Sequence, residues 1–200
     1  MASEKGRIEA FSDGIFGIAA TLLVFQIKIP PAGQNLAANL LKQWPSYFAF
    51  VLSFIFIGIM WVNHHRLFTL IRKADDGLLV INLLLLLGVT VVPFPTSVLA
   101  AHLATPNART ATFLYNGTYL VTAILFNILW HYILHRGLLD QDRNSDPIRN
   151  ISRQYALGPI LYLVCFTTTY YSVRLSLLLN TALAIFYTIP ASRATYIRAR

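Results

Sequence analysis

Residues 14–27, Gly-Ile-Phe-Gly-Ile-Ala-Ala-Thr-Leu-Leu-Val-Phe-Gln-Ile, are apolar enough to enter a bilayer, yet Arg7, Glu9 and Asp13 crowd the two turns before them. A carboxylate on a membrane helix costs about 2.5–3.5 kcal/mol at mid-bilayer and less toward the interface. Asp13 is therefore expected to face protein or water, with a partner, and not lipid. Arg7 and Asp13 stand six positions apart, outside the i,i+3 and i,i+4 spacings that let side chains pair along one helix. Each is expected to look for partners on other helices. This first segment reads as interior to a helical assembly.

The remainder of the chain is of the same kind. Of its 200 residues 56% are hydrophobic and 12% charged, with a mean hydropathy of +0.58, and only short stretches separate the apolar runs. A folded soluble domain does not fit between them. The net charge of +8 is scattered at segment ends instead of forming one basic patch, which excludes a nucleic-acid partner. Cys165 stands alone, so neither an intrachain disulfide nor a cysteine metal site is available. Lys5 and Arg7 ahead of an apolar run mimic a signal peptide, but Glu4, Glu9, Asp13 and the lack of a small-x-small cleavage pattern argue that the segment is retained.

Crossing the roughly 30 Å hydrocarbon core takes about 20 apolar residues. On that measure the sequence predicts an all-α polytopic membrane protein of six transmembrane helices in a single transmembrane domain. The spans fall at about 8–29, 45–71, 78–99, 111–134, 151–171 and 174–190. The first stops at Pro30-Pro31, and residues 34–43 form a short surface helix. Pro93-Phe-Pro95 bends or ends the third span, and Gly158-Pro159 kinks the fifth. A tight turn near Ser172 to Arg174 must divide the last two spans, since their union is too long for any bilayer. With the N-terminus inside, twelve of the sixteen cations are cytoplasmic and four, Lys28, Lys42, Arg109 and Arg174, are not. That asymmetry predicts a multi-pass protein of the plasma membrane with both termini cytoplasmic. No internal repeat betrays a transporter's duplicated halves. Six spans with one special helix suit a subunit that gives one wall to a pore on a symmetry axis.

The segment Arg7-x-x-x-Phe11-Ser12-Asp13, continued by Gly-Ile-Phe-x-Ile-Ala-x-Thr-Leu-Leu-Val, resembles the signature of the transmembrane-protein-175 family of bacterial and lysosomal potassium channels. The resemblance implies a homotetramer in which the first helix of each subunit lines a central pore. Ile18, Leu22 and Phe25 share one helical face with Thr21 beside them. On residues alone that face reads as lipid contact or helix packing, since apolar stripes are ordinary on membrane helices. The resemblance assigns Ile18 to the narrowest ring, Thr21 to a hydroxyl layer, and Leu22 and Phe25 to the following rings, with potassium passing near Ile18 and Thr21. Phe25 stands where the family has leucine. No Thr-Val-Gly-Tyr-Gly sequence occurs, so the expected device is a hydrophobic constriction that gates by dewetting and not a carbonyl filter.

Arg7, Phe11, Ser12 and Asp13 read either as a helix cap or as a network fixing the pore helix to its neighbours. Partners are expected in Trp61-Val-Asn63-His64-His65-Arg66, where the resemblance implies a tryptophan and one of the two histidines. The alternative function is a proton- or cation-coupled transporter using Asp13 and a histidine. An enzyme is not expected: His131 and His135 lack a third metal ligand, and no phosphate loop or Ser-x-x-Lys nucleophile occurs. Neither a cofactor nor a soluble partner is implied. Asn82, Thr90, Asn116, Asn127 and Asn180 inside the spans are expected to bridge helices.

Overall fold

The computed structural model describes residues 4–32, 35–140 and 145–188. In chain order the helices are α1 (Glu4–Leu22), extended by a 3-10 turn at Leu23–Gln26, then α2 (Leu36–Lys42), α3 (Trp44–Thr69), α4 (Asp76–Val91), α5 (Pro93–His102), α6 (Ala108–Arg136), α7 (Asp146–Tyr171) and α8 (Val173–Thr188). Four helical stretches are long and apolar enough to cross a membrane: Lys5–Gln26, Trp44–Thr69, Asp76–His102 and Ala108–Arg136. The protein is thus a multi-pass membrane protein. The first turns of α7 carry Asp146, Arg149 and Arg153, and α8 is only 16 residues long.

The helix boundaries follow local chemistry. Asn35 accepts from the Ala38 N–H at 3.1 Å and opens α2; Asp75 does the same for Leu78 at 2.8 Å and opens α4. Pro45 and Pro93 sit in the first turns of α3 and α5, where a missing N–H costs nothing. Val92 keeps right-handed helical angles, so α4 and α5 form one broken rod. α6 ends on Gly137 at φ +64, and the Leu138 N–H returns to the Ile133 carbonyl at 3.1 Å. That closing turn favours glycine because an added Cβ would strain it.

Two stretches depart from simple helical reading. The first helix does not run unbroken to residue 29: it tightens into the 3-10 turn and is extended by Ile27. Val24, Phe25, Ile27 and Ile29 are stiff or bulky side chains, and Pro30 pushes the residue before it away from helical angles. At the other end a single extended residue, Ser172 at φ −154 and ψ 117, separates α7 from α8. Its hydroxyl oxygen accepts from the Leu175 N–H at 3.2 Å and starts the new helix.

Buried polar groups tie the rods together. The Asn116 side-chain amide donates to Thr169 Oγ1 at 2.8 Å and Ser176 Oγ at 2.7 Å, and Asn180 donates to Asn116 Oδ1 at 2.9 Å. These bonds staple α6 to both sides of the Ser172 break. Ser53 bonds Thr96 at 2.9 Å and Tyr115 at 3.1 Å beside the packed rings of Phe56, Tyr119 and Tyr162. Within α7, Pro159 deprives the Tyr155 carbonyl of its usual donor. Asn127 of α6 supplies one at 2.7 Å.

At one end of the bundle the connections clasp each other. The Arg72 N–H reaches the Leu138 carbonyl at 2.9 Å and the Asp140 N–H reaches the Leu70 carbonyl at 3.0 Å. Lys5 Nζ donates to the Ile71 carbonyl at 2.9 Å, which brings the start of α1 to the same end. Asp75 also accepts from the Tyr132 hydroxyl at 3.1 Å and from Arg136 Nε at 3.3 Å. Gly77 makes room for the Tyr132 bond, since a Cβ at that position would overlap the Tyr132 hydroxyl and displace it from Asp75.

Candidate functional site

The first helix divides into two faces. Ile8, Ser12, Phe16 and Ala19, with Leu23 of the 3-10 turn, spaced four, four, three and four apart, are buried against α3, α4 and α5. The opposite stripe is left uncovered by the chain's own helices. It runs through Arg7, Phe11, Gly14, Ile18, Thr21, Leu22 and Phe25, all exposed, with Ile18 at 62% and Phe25 at 78% of full exposure. The i, i+3/i+4 spacing makes this a continuous ribbon along the whole helix.

Every residue of the expected constriction series, Ile18, Thr21, Leu22 and Phe25, lies on that ribbon. Thr21 Oγ1 donates to the Ile18 carbonyl at 2.9 Å. Its single proton is committed to the helix, so the hydroxyl oxygen presents lone pairs outward. A surface of that kind offers a cation an acceptor set among aliphatic side chains.

The buried face is pinned by side-chain hydrogen bonds. The Ser12 hydroxyl donates to the Ile8 carbonyl at 2.8 Å and accepts from Asn82 Nδ2 of α4 at 3.1 Å. Asn82 Oδ1 in turn meets His64 Nε2 of α3 at 2.9 Å. Because the amide nitrogen of Asn82 is already donating to Ser12, its oxygen takes the His64 proton, which places that proton on Nε2. The His64 ring lies between Phe16 and Phe68, at centroid distances of 5.4 and 4.3 Å. One turn along α1, Asp13 accepts from Trp61 Nε1 at 2.9 Å. Asp13 therefore has a partner on another helix.

Ser12, Asp13, Trp61 and His64 are brought together. Of the two histidines, His64 joins the buried network, whereas exposed His65 stacks on Trp61 at 6.2 Å. Asn63 is half-buried and gives its backbone carbonyl to the Tyr155 hydroxyl at 3.3 Å. Arg7 and Phe11 point along the uncovered ribbon and not into the network. The member of this network that the sequence placed only among the helix-bridging polar residues, with no partner named, is Asn82. Its signal was an amide within Leu78-Leu-Val-Ile-Asn82-Leu-Leu, four positions after a buried leucine.

Comparison with known proteins bears directly on this pairing of a pinned face and an open one. Residues 7–93, from the head of α1 to the α4–α5 break, match the family model described as endosomal/lysosomal potassium channel TMEM175. A potassium channel of Chamaesiphon minutus is 47% identical over 192 residues, covering 94% of this chain and 95% of that one. The chain belongs to the TMEM175 potassium channel family. A potassium channel of Streptomyces collinus is 40% identical over 189 residues, with 92% of each chain covered. The crystal structure of a lysosomal potassium-selective channel TMEM175 homolog from Chamaesiphon minutus superimposes with a TM-score of 0.84 at 46% identity, covering 94% of this chain and 97% of that chain. The TMEM175 family is one of ion channels and not of enzymes, and this chain shares its all-helical fold.

Proposed function

We propose that this chain is one subunit of a potassium channel whose pore is lined by the uncovered ribbon of α1. The observation that carries the reading is the division of that helix. Its buried face is fixed to α3 and α4 by Ser12, Asn82 and His64, the exposed Asp13–Trp61 bond ties its edge to α3, and the stripe through Ile18 and Phe25 has no cover within the subunit. Closed symmetry, as a homotetramer, puts four such ribbons around one axis. Each subunit crosses the cell membrane six times as one transmembrane domain, α7 and α8 adding the fifth and sixth spans, with both termini in the cytoplasm. Potassium is the permeant ion, and no cofactor takes part.

Ile18 forms the constriction, and Thr21, Leu22 and Phe25 form the rings beyond it. An aliphatic ring holds no coordinating oxygen, so it dewets when narrow and shuts without a moving lid. Potassium sheds water more cheaply than sodium, which gives a modest preference, and the Thr21 lone pairs replace part of what is lost. The potassium-channel names of the Chamaesiphon and Streptomyces relatives support this reading.

Flux from potassium-loaded vesicles tests it. The native protein passes potassium down its gradient with no requirement for a proton gradient, and Ile18→Asn, which wets the constriction, raises the flux and admits sodium. Flux that saturates and depends on protons would instead favour a coupled transporter built on Asp13 and a histidine, and an unaltered Ile18→Asn would remove Ile18 from the constriction.

A further inference from the structure

Away from α1, the outer seam between α6 and α7 opens into a groove of about 420 Å³. Its lining is Ile124, Asn127, Ile128 and His131 from α6 with Ala156 and Pro159 from α7. The groove exists because Pro159 interrupts the α7 hydrogen-bond ladder and Asn127 turns aside to serve the Tyr155 carbonyl at 2.7 Å. The floor is aliphatic. One end differs. His131 lines that end, and its Nδ1 is held by the Asn127 backbone carbonyl at 2.8 Å, so Nε2 is the ring nitrogen left for a further contact.

One turn beyond His131 on the same face of α6 is His135, exposed. On α7, Arg149 lies seven positions, roughly 10 Å, before Ala156 on the same face, and exposed Arg153 flanks it. Of the acids at this end, Asp146 stands 3.9 Å from Arg149 and is 92% exposed, while Asp75 is engaged by Arg136 at 3.3 Å. The mouth is therefore net basic, and it lies at the end of the bundle where the clasped connections gather.

We propose that this groove is a binding site for an anionic glycerophospholipid. One acyl chain lies along Ile124, Ile128, Ala156 and Pro159, and the phosphate rests between Arg149 and Arg153 with His131 and His135 beside it. The roughly 10 Å from the arginines to the aliphatic floor matches the offset between a lipid phosphate and the upper part of its chains. Charge selects the headgroup and the proline notch holds the chain. The site is independent of conduction, so failure of the channel reading leaves it standing.

The test uses purified full-length protein in detergent, stripped of lipid and equilibrated with equal amounts of phosphatidylglycerol and phosphatidylcholine. Retained lipid is then counted by mass spectrometry under non-denaturing conditions. The native chain retains phosphatidylglycerol in excess. Each arginine near the anionic surface contributes roughly fivefold, so R149Q/R153Q brings the two lipids close to parity. Arg109→Gln, at the opposite end of α6, leaves the preference intact. Ala156→Trp fills the groove and lowers retention of both lipids. If R149Q/R153Q does not fold, the native chain is read at rising salt, where screening must erode the preference. Equal retention by the native chain, a preference unmoved by R149Q/R153Q or by salt, or full competition by glycerol phosphate lacking acyl chains would each overturn the assignment.

Discussion

Asn82 shows how much one amide can hold. It donates to Ser12 and accepts from His64, and thereby joins α1, α3 and α4 through a single side chain. Removing it leaves buried His64 Nε2–H without its acceptor, at about 1–3 kcal/mol, while Ser12 keeps only its bond to the Ile8 carbonyl. Asn82→Leu is thus expected to lower the denaturation midpoint in detergent clearly. Thr90→Val serves as the control, since that hydroxyl bonds only its own helix through the Leu86 carbonyl at 2.8 Å and its loss should move the midpoint little. Equal effects of the two would deny Asn82 its bridging role. Ser12 and Asp13 were legible from one short motif, and Trp61 from a second segment that the family resemblance joined to it. The choice between His64 and His65 was not: adjacent helical residues point 100° apart, and nothing in the sequence says which face α3 turns toward α1.

Asp75 is the residue whose charge matters to stability against pH. The Leu78 N–H at its carboxylate holds its pKa below the ordinary 3.8, with Tyr132 and Arg136 adding to the effect. A depressed carboxylate stabilises the fold above its unfolded pKa and loses that contribution as pH falls through the folded value. The stability gap between native protein and Asp75→Asn should accordingly be constant from neutral pH down to about pH 5 and narrow only below the ordinary aspartate range. A gap that instead closed between pH 7 and 5 would show that another group governs the clasp.

At the scale of elements, the breaks are more informative than the helices. Pro93 and the Ser172 turn were foreseeable, the first because proline cannot continue a helix and the second because a joined α7–α8 would exceed any bilayer. The 3-10 turn at Leu23–Gln26 was hidden, since Leu23, Val24 and Phe25 continue the apolar run before them and the stiff side chains and Pro30 that break the helix do not say where it tightens. The Pro159 notch was read as a kink without its counterpart on α6. Asn127 and Pro159 form a coupled pair: Asn127→Leu orphans the Tyr155 carbonyl and costs about 1–2 kcal/mol, while Pro159→Ala restores the missing N–H. The double variant should therefore lose less than Asn127→Leu alone, a coupling visible in a double-mutant cycle of unfolding free energies. Additive effects would mean that the amide does not substitute for the ladder bond.

For the whole molecule, the same sequence run explains both architecture and assignment. Charges at the head of an apolar helix were expected to find partners on other helices, and the structure supplies one for Asp13 while leaving Arg7 on the open ribbon. Composition and hydropathy made the membrane class plain. Subunit number and the occupant of the ribbon depend on contacts between copies, which a single chain's pattern does not encode.

Cysteine accessibility on α1 addresses the ribbon most directly. Cys165 is buried, so the native protein is a silent background for a thiol placed at Leu22→Cys. In vesicles, a charged, membrane-impermeant thiol reagent is predicted to modify that variant and block potassium flux while sparing the native chain. Modification restricted to lipid-soluble reagents, with flux undiminished, would place the ribbon against acyl chains and contradict a pore built on the first helix.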